Sequence, residues 1–102
     1  MPGYVLAREA DADLVEIARY TKRRWGAEQA RRYRDRLLEG FEAMATGSVT
    51  AKSLDDLAPG MKMMRCEQHY IFCRFHEGRV PEIFAVLHKR MDMVARIAER
   101  LE

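Results

Sequence analysis

The sequence predicts a single α+β domain, and three observations predict it. Two successive runs carry apolar residues at helical spacing and are separated by Gly26. A later stretch, Met61 to Asp92, instead alternates with the period of two that puts successive side chains on opposite faces of a strand. The 102 residues, 48% of them hydrophobic, suffice for one core without a metal or disulfide staple, so residues 1–102 are expected to form one domain.

Taken in order, Tyr4–Ala7 is a short first strand. A helix follows from about Glu9 to Trp25, with Glu9, Asp11 and Asp13 near its start, where carboxylates suit the positive end of the helix dipole. Leu14, Ile17, Ala18, Thr21 and Trp25 form its stripe, expected to be core. Gly26 matches a helix-ending position, and from Ala27 a second helix presents Ala30, Tyr33, Leu37, Phe41 and Met44 on one face. So short a link implies an antiparallel helix hairpin.

Thr46 to Gly60 loses the helical period and reads as a loop, pinned by Leu54 and Leu57. Three antiparallel strands form the meander that follows. In the second of them Tyr70, Phe72, Arg74 and His76 alternate with His69, Ile71, Cys73 and Phe75. Glu77-Gly78 supplies a turn, and Val80–His88 returns the chain, with Ile83, Ala85 and Leu87 on one face and Phe84, Val86 and His88 on the other. Pro81 lacks a donor and belongs at the start of that strand or at a bulge. Met91–Leu101 is a last helix with Val94, Ile97, Ala98 and Leu101 on one face, short enough that it must dock on the domain or on a partner. The expected sheet sets the first strand antiparallel to the last, with the helix pair on one face and the other face largely open.

Composition narrows the function classes. There is no apolar run of bilayer-spanning length and no signal-peptide pattern, so no membrane association and a cytoplasmic location are expected. Cys66 and Cys73 are expected to be free thiols in a reducing compartment. His69, His76 and His88 lack the close spacing of zinc ligands, and the glycines form no phosphate-cradling loop. Neither a metal nor another cofactor is expected. The formal charge of +2 hides a strongly basic segment: residues 19–36 hold eight basic and two acidic side chains. That run is either a solvated helix face or a surface for an acidic partner or nucleic acid.

The blocks Tyr4-Val5-Leu6, Asp13-Leu14, Ile17, Tyr20, Trp25-Gly26, Gln29-Ala30, Tyr33, Met64-Arg65-Cys66-Glu67, His69-Tyr70-Ile71-Phe72-Cys73 and Leu87-His88 to Asp92, in this order and over nearly the whole chain, resemble the ParE toxins of the ParE/RelE superfamily, in particular plasmid-stabilising ParE proteins. The resemblance implies a RelE-like fold: N-terminal strand, antiparallel helix hairpin, three-stranded antiparallel meander and short C-terminal helix. It further implies the toxin of a type II toxin-antitoxin system that poisons DNA gyrase, is neutralised in a hetero-oligomer by a ParD-like antitoxin, and meets operator DNA only through that antitoxin.

Two alternatives stand beside that expectation. RelE-type relatives cut ribosome-bound messenger RNA with a general acid and base flanking one phosphate. His88 with Arg65, Arg74, Lys89 and Arg90 resembles part of such a set, but RelE-like nucleases carry a tyrosine just after the last strand or in the final helix, and here the four are Tyr4, Tyr20, Tyr33 and Tyr70. A nucleic-acid-binding module without enzymatic activity is the third reading. The expected site is therefore non-catalytic: His88, Lys89, Arg90 and Met91, at the junction of last strand and last helix, for toxicity and gyrase contact. Arg19, Arg23, Arg31 and Arg34 are expected to meet an acidic antitoxin tail.

Overall fold

The structure, a computed structural model, describes residues 3–102. Its elements are β1 (Val5–Leu6), α1 (Arg8–Trp25), α2 (Ala27–Thr46), β2 (Lys52–Ser53), β3 (Met61–Cys66), β4 (His69–Arg74), β5 (Glu82–His88) and α3 (Met93–Leu101). Gly26 separates the two long helices at φ 94°, a backbone angle that side chains with a Cβ disfavour, and its N–H donates to the Lys22 carbonyl to close α1. Asp92 starts α3 by accepting the Ala95 N–H on its side chain. The last helix thus begins two residues later than its apolar pattern suggests.

The five strands lie in the order β1-β5-β4-β3-β2. α1 lies over β5 and α2 over β4 and β3, burying Ala10, Leu37, Phe41, Met44, Ile71, Cys73, Ile83 and Val86 between helices and sheet. This is the α+β arrangement expected, and the docked stripe of α2 is the expected one from Leu37 onward. Cys66 and Cys73 are both free, and burial pushes each thiol above its ordinary pKa, Cys73 to about 11.

Five expectations are corrected. β1 pairs with β5 in parallel, Val5 beside Glu82 and Leu6 beside Ile83. The expected antiparallel pairing was drawn from the helix hairpin returning the chain to its starting end. Instead Ala7 donates to Ile83 O and Asp13 reaches the Val86 N–H, so α1 continues in the direction of β1, alongside β5. The expected loop 46–60 contains β2, antiparallel to β3. Phe84 is an extra residue opposite the Phe72/Cys73 step of β4, so it breaks the alternation. Ile83 consequently faces the helix pair with Val86, while Ala85 and Leu87 face the other way.

The second face of the sheet is not open. Ile97 of α3 and Ala58 of the 54–58 turn are buried there with Met61, Phe72, Ala85 and Leu87, flanked by Leu54 and Leu57. Trp25 is the fifth correction: helical spacing puts it on the core stripe, but α1 runs past the sheet and leaves the ring 63% exposed.

Candidate functional site

Where α1 ends, α2 begins and β5 stops, the helices overhang the sheet, and the space beneath them is a cleft of about 560 Å³. α1 contributes Tyr20, Thr21, Arg24 and Trp25; α2 contributes Gln29, Tyr33 and Arg36. The β3–β4 turn adds Glu67 and Gln68, the start of β4 adds His69, the end of β5 adds His88, and the segment after it adds Lys89 and Arg90. Strand register explains the histidines. His69 and His88 are a cross-strand pair at the end of the helix-facing rows, beyond the last core aliphatics, with rings edge to face at 5.1 Å.

Tyr33 locks the floor of the cleft. Its Oη accepts the Gln68 N–H at 3.0 Å and lies 2.6 Å from His69 Nδ1. A backbone N–H only donates, so the phenol oxygen accepts from Gln68, while the direction of its bond to His69 Nδ1 follows the imidazole tautomer. His88 is held similarly, Nδ1 accepting the Arg90 N–H at 3.1 Å. The Lys89 N–H donates to Gln68 O at 3.0 Å, which fixes the backbone of the junction while the two side chains remain exposed. Arg24 lies over the Trp25 ring, 5.6 Å from its centroid, and Arg36 pairs with Glu67 at 3.5 Å.

Burial, reinforced by His88 and opposed by Asp13, brings the His69 imidazole from 6.5 down to about 4. Below pH 6.5 the unfolded chain takes up a proton that the folded chain refuses until about pH 4, so stability is fully present above 6.5 and falls as pH drops through that window. Allowing for partial solvent access, the loss is expected to be about 1–2 kcal/mol. Urea unfolding of wild type and His69→Phe between pH 4.5 and 7.5 checks it; a variant retaining the full slope would assign the effect to other groups.

The structure brings His88, Lys89 and Arg90 together at the cleft rim, with Met91 beside them, exposed and outside the lining. Asp92 is occupied in capping α3, and among the described residues neither Lys89 nor Arg90 has an ion-pair partner. Arg19, Arg23, Arg31 and Arg34 are all exposed on the hairpin, one pair per helix; none lines the cleft, and Arg31 is paired with Glu28 at 3.4 Å. Sequence reasoning missed Arg24, Trp25, Tyr33, Arg36 and His69 as cleft residues. The signal was slight: Arg24 follows Thr21, and Arg36 follows Tyr33, by three residues, about one turn along the helix. Among the described residues no cluster of three metal-ligating side chains occurs, and no helix is long and apolar enough to cross a membrane.

Residues 4–93 match the family described as the ParE toxin of the type II toxin-antitoxin system parDE. The chain is 45% identical over 102 residues to Toxin ParE of Escherichia coli, covering 100% of this chain and 99% of that one. It is 34% identical over 97 residues to Toxin ParE1 of Caulobacter vibrioides, covering 95% and 99%. It is 31% identical over 90 residues to Toxin ParE1 of Mycobacterium tuberculosis, covering 88% and 92%. A solved structure titled "Chromosomal ParDE TA system from P. aeruginosa" shares the fold at a TM-score of 0.69 and 19% identity, over 83% of this chain and 92% of that one. With a family match across most of its length and relatives alike over their full extent, the chain belongs to the ParE toxins of type II toxin-antitoxin systems.

Proposed function

We propose that this toxin acts in the cytoplasm by binding rather than by catalysis, poisoning DNA gyrase through the β5–α3 junction at His88, Lys89, Arg90 and Met91, and that a ParD-like antitoxin neutralises it in a hetero-oligomer. Gyrase as target and operator contact only through the antitoxin are what resemblance to the ParE toxins implies. The observation that supports a non-catalytic site is the use of the imidazoles. In the neutral form His88 commits Nδ1 as acceptor of the Arg90 N–H and so has no free lone pair to take a proton from a substrate hydroxyl, and His69 Nδ1 is engaged by Tyr33.

Purified protein is expected to inhibit supercoiling by gyrase and trap cleaved DNA, while leaving ribosome-bound message intact. Site-specific message cuts that vanish in His88→Ala would replace this reading with the nuclease. Neutralisation is expected to involve the exposed arginines Arg19, Arg23, Arg31 and Arg34, because an acidic tail approaching a basic surface associates faster than charge-free docking allows. Arg19→Glu combined with Arg23→Glu should slow antitoxin association at low salt by roughly tenfold and flatten its salt dependence. An unchanged on-rate would make that surface a solvated helix face.

A further inference from the structure

We infer that the cleft beneath the hairpin is a binding site for a nucleotide, taking an unstacked base against Trp25 and its phosphate among Arg24, Lys89 and Arg90. This goes beyond the gyrase reading and does not rest on it.

The composition of the walls carries the inference. Of the five charged side chains that line the cleft, four are cationic, and the single acid, Glu67, is already engaged by Arg36. Among the described residues Arg24, Lys89 and Arg90 are thus left without a carboxylate partner around one concavity, and all three are exposed. Cations alone would suit any anion. This cleft also displays the chain's one tryptophan, 63% exposed, with a guanidinium over the ring. An aromatic of that size left in water costs apolar burial, and flat aromatic faces interleaved with cations are the combination that stacks bases and holds their phosphates. An acidic peptide would use the cations and leave the ring unexplained. Gln29 and Gln68 add side-chain amides that both donate and accept, as base edges do. The volume of about 560 Å³ lies in the range of small-ligand sites and accommodates one nucleotide. Tyr33 and His69 make the floor rigid, so the site needs little reorganisation on binding.

Trp25 is the sole tryptophan and reports its own site. The purified full chain, without gyrase or antitoxin, is titrated with adenosine 5′-monophosphate, a short oligodeoxyadenylate, inorganic phosphate and an oligoglutamate peptide, following Trp25 fluorescence and, independently, calorimetry. A saturable quench by the mononucleotide is expected if the source is a free nucleotide. A quench by the oligonucleotide alone assigns the site to an unpaired residue of a strand. In either case Arg24→Ala and Arg90→Ala, both at exposed positions that should fold normally, are expected to weaken binding by roughly tenfold, and Lys52→Ala on the distant edge strand to leave it unchanged. The inference is overturned by no saturable response to either nucleic-acid probe, by inorganic phosphate binding equally well, by tighter binding of the peptide, or by wild-type affinity in the Arg24 and Arg90 variants. None of these outcomes bears on the supercoiling assay, so the two readings fail separately.

Discussion

Asp13→Ala is expected to cost about 2–4 kcal/mol of folding stability, far more than the loss of a surface carboxylate. β1 covers only the first two residues of β5, which leaves the Val86 N–H on an edge of the sheet with no strand to accept it. Asp13 Oδ2 accepts that N–H at 2.9 Å, and the same carboxylate takes Arg100 in a two-pronged pair at 2.7 Å and 2.7 Å. Both side chains are largely withdrawn from water, 11% and 18% exposed, and Glu9 lies 3.5 Å from the same guanidinium. One carboxylate therefore closes the β5 edge and ties the end of α3 to the start of α1. Removing it leaves the Val86 N–H without an acceptor and the largely buried guanidinium with only Glu9 at 3.5 Å.

Arg100→Ala should cost less, because Asp13 keeps the Val86 N–H and gains water. The double mutant should cost less than the two single effects added, since the residues share one interaction. Urea unfolding of the three variants at pH 7 checks the ordering, and hydrogen exchange should show α3, only nine residues long, losing protection first. Asp13→Ala within about 0.5 kcal/mol of wild type would mean that the clasp is solvated and contributes little.

Lys89→Ala combined with Arg90→Ala is expected to raise the concentration needed to inhibit gyrase supercoiling by roughly tenfold to a hundredfold, with stability unchanged. The junction is held by backbone hydrogen bonds, Lys89 N–H to Gln68 O and Met91 N–H to His88 O, both at 3.0 Å, so truncating two exposed side chains removes charge without moving the chain. Neither cation stabilises the fold through an ion pair among the described residues, so the loss does not report on fold stability. Antitoxin binding by the double variant serves as the control for folding. Full gyrase poisoning would remove this site and direct attention to the exposed face around Arg65, whose guanidinium is tied to Glu67 O at 3.0 Å.

Local chemistry wrote much of this protein into its sequence. Helical spacing and Gly26 determined α1, α2 and the hairpin; period-two alternation determined β3 and β4; and the order of short blocks pointed to the toxin family. Those features depend on residues close together in the chain, where turn preference and burial periodicity act directly. The junction His88-Lys89-Arg90 was legible for the same reason, because it ends a strong strand pattern.

Tertiary structure decided what depends on how far each element extends. Whether Trp25 is core or rim depends on where the sheet ends beneath α1, and helical spacing is the same in either case. The direction of β1 depends on Ala7 and Asp13 meeting β5, a pairing between residues more than seventy positions apart. The Phe84 bulge is a mismatch between two strands, so neither strand shows it alone. Tyr33 and His69 lie 36 residues apart and both look like core in one dimension; only the overhang of the helices makes them the floor of a cleft.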